Sequence, residues 1–140
     1  MKVVADTNVI VSALLWVGVP HKILVAAEQA SLTLCVSPAL LQELSGVLVR
    51  PKFAQRLRDL RVSAAALTAG YVRLTHVVLP RGVPRLVATD ATDDEVLAWA
   101  LAARAKYIIS GDADLLRMRS YQRIPILSPT AFVRDVLDQS

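Results

Sequence analysis

The chain has 140 residues, a net charge of +4 and 54% hydrophobic content, which suits one domain, residues 1–140, with a substantial core. Mean hydropathy is +0.46, yet the longest mostly apolar run, residues 9–19, falls short of the roughly 20 residues a spanning helix needs, so no membrane segment is expected, nor a cleaved leader. Cys35 is the single cysteine; it excludes an internal disulfide and a multi-cysteine metal site and fits a reducing cytoplasm.

In chain order, residues 2–5 are a short apolar run that reads as a buried strand. Residues 9–16 read as a helix stopped near Gly18 and Pro20, residues 22–30 as a second helix, and residues 32–36 as a second strand. Ser37-Pro38 opens a helix with a hydroxyl cap and proline in its first turn. Leu40, Leu41, Leu44, Val47 and Leu48 give that helix its apolar stripe. Pro51 ends it, and residues 52–60 and 63–74 read as a helical hairpin. Residues 75–79 are a β-branched strand, and residues 81–91, with Gly82 and Pro84, an irregular loop. Residues 92–104 form an alanine-rich helix in which Thr92 and Glu95 have capping-box spacing. A strand at 107–110, a helical turn through Leu116, a strand at 124–127 and a Ser128-Pro129-capped helix to Leu137 complete the chain. Alternating strands and helices imply an α/β fold: a three-layer α/β/α sandwich around a mostly parallel sheet.

In such sheets, sites form beyond the carboxyl ends of the strands. Asp6 follows the first strand in Asp6-Thr7-Asn8, and Asp112 follows the 107–110 strand in Ser110-Gly111-Asp112. Taken singly, each also reads as a turn or cap residue. Glu43, three after Leu40 and four before Val47, lies beside the apolar stripe of its helix. Asp94 precedes Leu97, Ala98 and Leu101 by three, four and seven and so opens what reads as the inward face of its helix. A rim salt bridge and a first-turn acid are the plainer readings of these two. An inward charge is costly unless paired or bound to metal. Together, Asp6, Glu43, Asp94 and Asp112 could share one acidic pocket. Their oxygen-only donor set suits Mg²⁺ or Mn²⁺, ions that activate water against a phosphodiester. Thr7, Asn8 and Ser110 could orient the ligands, and Asn8 could equally cap its own helix.

Arg50, Lys52, Arg56, Arg58 and Arg61 cluster mid-chain, with Arg117, Arg119 and Arg123 further on. They read as phosphate contacts or as a solvated helix face. His21 and His76 have no partner at ligand spacing, and Trp16 and Trp99 read as packing residues. Asp114 reads as a solvated turn residue, with a water-mediated ligand role as the alternative. A phosphoryl-accepting domain also places Asp at strand ends. Asn8, however, stands where a haloacid-dehalogenase site has its second Asp, and the paired acids and late lysine of a receiver are not evident.

The segments ADTNVIVSALLW and DATDDEVLAWALAARAKYIISGDADLL, with Glu43 on its capped helix, resemble the PIN domain family, and within it the VapC-like toxins of bacterial toxin–antitoxin operons. The resemblance spans essentially the whole chain. It implies a Mg²⁺- or Mn²⁺-dependent endoribonuclease acting on RNA, a homodimer, and inhibition by a cognate antitoxin. Asp6, Glu43, Asp94 and Asp112 match the family's acids, and Ser110 its small hydroxyl residue. A degenerate PIN domain that only binds RNA or protein is the alternative it leaves.

Overall fold

The computed structural model describes residues 1–78 and 91–139, with side chains of the 91–103 helix described from Glu95 onward. A six-stranded sheet of order β3-β2-β1-β4-β6-β5 runs through it. Its strands are β1 (Lys2–Ala5), β2 (Thr33–Val36), β3 (His76–Val77), β4 (Tyr107–Ile109), β5 (Ser120–Tyr121) and β6 (Ile124–Leu127). All neighbours pair in parallel except β5 and β6. The mostly parallel α/β reading of the sequence is therefore the observed fold.

Consecutive strand residues point to opposite faces, so burial of both shows that both faces are covered. Val3, Val4 and Ala5 of β1 are all buried, as are Leu34, Cys35 and Val36 of β2 and Ile108 and Ile109 of β4. Each fully buried Val or Ile contributes about 1.5–3 kcal/mol, and these three central strands hold most of them. The covering helices are α1 (Thr7–Leu15), α2 (Val19–Glu28), α3 (Pro38–Leu48), α4 (Ala54–Leu60, entered by a 3₁₀ turn Pro51–Phe53), α5 (Ala64–Leu74), α6 (Ala91–Ala103), α7 (Ala113–Met118) and α8 (Pro129–Phe132, continued as a π-helical turn Val133–Leu137). No single described helix is long and apolar enough to cross a membrane.

Local chemistry explains the boundaries. The Ser37, Ser63 and Ser128 hydroxyls accept from the backbone N–H three residues on, at 3.2, 3.0 and 3.1 Å, and cap α3, α5 and α8. Helix α1 starts at Thr7 rather than at residue 9 because the Asp6 carboxylate supplies the cap; Asn8 is exposed within the first turn. Pro20 does not stop a helix but lies in the first turn of α2, where a missing N–H costs nothing. His21 is held at that corner by Nδ1, 3.0 Å from the Ala13 carbonyl oxygen. The sequence reading missed β5. It forms a hairpin with β6 through Gln122 and Arg123, both at positive φ (51° and 68°). That turn conformation usually announces itself by Asn-Gly or Asp-Gly, which this sequence lacks. The 81–91 loop falls outside the described residues up to residue 90, and the Thr92 half of the capping box lies outside the described side chains.

Candidate active site

The sheet order reverses at β1. From β1 the chain moves outward to β2 and β3 on one side, while β4 and β6 lie on the other. The crevice between the carboxyl ends of β1 and β4 is the topological switch point where α/β sheets place their sites. Asp6 follows β1 and Ser110 follows β4 there, and the Asp6 N–H donates to the Ile109 carbonyl at 3.0 Å, which extends the ladder to the pocket's edge.

Asp6, Ser110 and Asp112 are brought together at this point. The Ser110 hydroxyl donates to Asp6 Oδ2. Its oxygen accepts from the Asp112 N–H at 2.9 Å. Asp6 Oδ1 accepts from the Val9 N–H at 3.0 Å, and Asp112 Oδ1 accepts from the N–H groups of Asp114 and Leu115 at 2.8 and 3.3 Å. Each acid thus caps a helix with one carboxylate oxygen. The turn-and-cap reading and the site reading are both met, by different atoms of the same groups.

Electrostatics sets Asp6 apart. Burial pushes its carboxyl above the ordinary value; hydrogen bonds from Ser110, Val9 and Gly111 pull the other way, and the Asp112 charge adds to the rise. A buried carboxylate beside a second one is short of positive charge. Among the described residues no group of three or more His, Cys, Asp or Glu side chains could hold a metal by itself. The described part of the crevice supplies two carboxylates and a hydroxyl, all oxygen. That donor chemistry fits a hard divalent cation, which would offset both the burial cost and the repulsion at Asp6.

The remaining acids are placed by their helices. Glu43 is half-buried on α3 between Leu40 and Leu44. Those two leucines line a small cavity together with Ala5, Thr7 and Trp99, so α3 and α6 both converge on the end of β1. Among the described residues the buried Thr7 hydroxyl and Trp99 indole N–H have no hydrogen-bond partner. Asp114 pairs with Arg117 on the first turn of α7.

Asp90 lies outside the described residues, as do the side chains of Asp93 and Asp94. Of the residues read as the inward stripe of α6, Leu97 and Ala98 are buried and Leu101 is 39% exposed. Val96, Trp99 and Ala100 are buried as well, so positions 96–100 are covered on every side and their burial favours neither Asp93 nor Asp94.

A family model described as PIN domain matches residues 2–114, from the start of β1 into α7. The chain belongs to the PIN domain family. PIN domains are generally nucleases and typically use divalent metal ions. The chain is also similar to an uncharacterized protein of Methanocaldococcus jannaschii, 32% identical over 120 residues, covering 85% of this chain and 76% of that one.

Proposed function

We propose that this PIN domain is a Mg²⁺- or Mn²⁺-dependent endoribonuclease that hydrolyses RNA phosphodiesters, acting in the cytoplasm as the toxin of a toxin–antitoxin pair and as a homodimer. The observation that carries the nuclease reading is the meeting of Asp6, Ser110 and Asp112 at the switch point. Asp6 and Asp112 would hold the ion, with Glu43 and the acid that opens α6 completing the set. When bound, the ion supplies Lewis acidity and a water activated for attack on phosphorus. The protein's part is positional. Ser110 fixes the Asp6 carboxylate with one hydrogen bond and the Asp112 backbone with another, so the two acids keep their spacing. The N–H groups that cap both carboxylates occupy Oδ1 of each, so the other oxygen of Asp112 and the Ser110-bonded Oδ2 of Asp6 would be the ones to hold the ion. The VapC-like sequence resemblance supports the toxin role, the antitoxin partner and the dimer.

Purified protein incubated with single-stranded RNA should cleave it in Mg²⁺ or Mn²⁺ and not in EDTA. Equal cleavage by Asp6→Asn would overturn the proposal. Growth arrest on expression, relieved by co-expression of the neighbouring open reading frame, tests the toxin role separately.

A further inference from the structure

Helices α1 and α2 meet at 86° around residues 16–18. At that corner Trp16 is 45% exposed and Val17 88%, so Trp16 packs while leaving nearly half of its surface open. The Phe53 ring stands edge-on to Trp16, with centroids 5.9 Å apart and planes at 62°. The Arg56 guanidinium lies 5.9 Å from the Trp16 ring centre and donates through Nε to the Leu15 carbonyl at 2.6 Å. Lys52 Nζ lies 5.0 Å from the Phe53 ring centre. Trp16 is therefore held in place yet half-open to solvent, Phe53 packs partly buried against the core, and cations flank both rings.

Residues 50–61 carry Arg50, Lys52, Arg56, Arg58 and Arg61 against one acid, Asp59. This short stretch equals the net charge of the whole chain, +4. Gln55 occupies Asp59 Oδ1 at 2.8 Å and bonds Arg58 at 2.9 Å through its own carbonyl. Among the described residues none of these five cations is in an ion pair; the pairs formed are Arg117–Asp114 and Arg134–Asp135. A solvated helix face of a globular protein usually interleaves the two signs. Here they are separated.

We infer that this corner binds single-stranded RNA, with a base stacked on Trp16 and phosphates held by Lys52 and its neighbours. A half-exposed aromatic ring set among cations that form no ion pair among the described residues supplies the two components of sequence-tolerant single-strand binding. A protein partner would need an acidic surface to match this charge. The inference takes the nature of the polyanion from the nuclease proposal. Asp6 and Trp16 flank the same helix, about 15 Å apart at 1.5 Å per residue, so a strand cut at one end would be gripped at the other.

The test uses the full chain in EDTA, where no turnover occurs, and a labelled twelve-residue oligouridylate. Fluorescence anisotropy should show Trp16→Ala weakening binding at least about fivefold, the lower end for one base stack. Lys52→Ala should reduce the slope of log affinity against log salt by about 0.7. Trp99 is buried, so oligouridylate should quench Trp16 emission in the unmutated protein. Unchanged affinity and slope in both variants, folded as judged by melting temperature, would overturn the inference. So would sedimentation showing that Trp16→Ala dissociates a dimer while oligouridylate binding holds. Asp6→Asn separates the two proposals. It should keep binding in EDTA and lose cleavage in Mn²⁺, and binding that depends on Trp16 in a protein that never cleaves would leave the corner standing and the nuclease reading fallen.

Discussion

The two ends of α1 differ as sharply as two places on one helix can. At its first turn, Asp6 lies buried, hydrogen-bonded to the backbone and short of positive charge. Beyond its last turn, Trp16 lies half-exposed among cations that have no acidic partner among the described residues. The first arrangement costs folding free energy at Asp6 and is held rigid by the β1 and β4 strands. The second costs little and rests on a short helical segment that packs on the core through Phe53 and Leu57. A group that must be placed to a fraction of an ångström sits on the sheet, and a surface that must accept many bases sits on a corner.

The largest break in this contrast should come from the acids. Asp6→Asn and Asp112→Asn should each lower cleavage by about 10²–10³-fold, the scale of one electrostatic group in an active site, measured as metal-dependent kcat. Next, Asp94→Asn should match that loss while Asp93→Asn stays near wild type, as the VapC-like resemblance implies; the reverse result would move the role to Asp93. Ser110→Ala should cost about 10–100-fold in metal affinity or activity, as losing a hydrogen bond that orients a ligand does, with the loss partly recovered at higher Mn²⁺.

Stability should move the opposite way to activity. Asp6 takes up protons more readily folded than unfolded, because burial raises its carboxyl. Its ionisation therefore disfavours the fold, and metal-free protein should gain stability from this group as pH falls through the raised folded value toward the unfolded one. The melting temperature of Asp6→Asn in EDTA at neutral pH should exceed wild type by a few degrees. Saturating Mg²⁺ should stabilise wild type and leave the variant unmoved; at 100 times its Kd a ligand contributes about 2.7 kcal/mol. A variant less stable than wild type in EDTA would show that the cap on Val9 outweighs the burial cost.

Much of this was legible in the sequence because the signals were local. Apolar runs of four or five residues marked β1, β2 and β6, and Ser-Pro pairs marked the starts of α3 and α8. The strand-end positions of Asp6 and Asp112 followed from the same runs. Ser110 could be suspected from its place before Asp112, but its bond to Asp6 spans 104 positions of chain, and no local pattern carries that. The face of α6 is hard to read because alanine fits either side and the fold buries five consecutive positions, 96–100. Trp16 reads as a packing residue and does pack against Phe53, but its 45% exposure was not legible, because a tryptophan that follows a nine-residue helix looks the same whether the next turn covers it or leaves it open.

Among the described residues the sheet ends in two-residue strands, β3 on one side and β5 on the other. A strand that short offers an incoming chain almost no ladder to join. A subunit contact made at β5 would gain few backbone hydrogen bonds, whereas one made by helices takes its strength from side-chain fit and can be tuned by surface substitutions that leave the β-framework untouched.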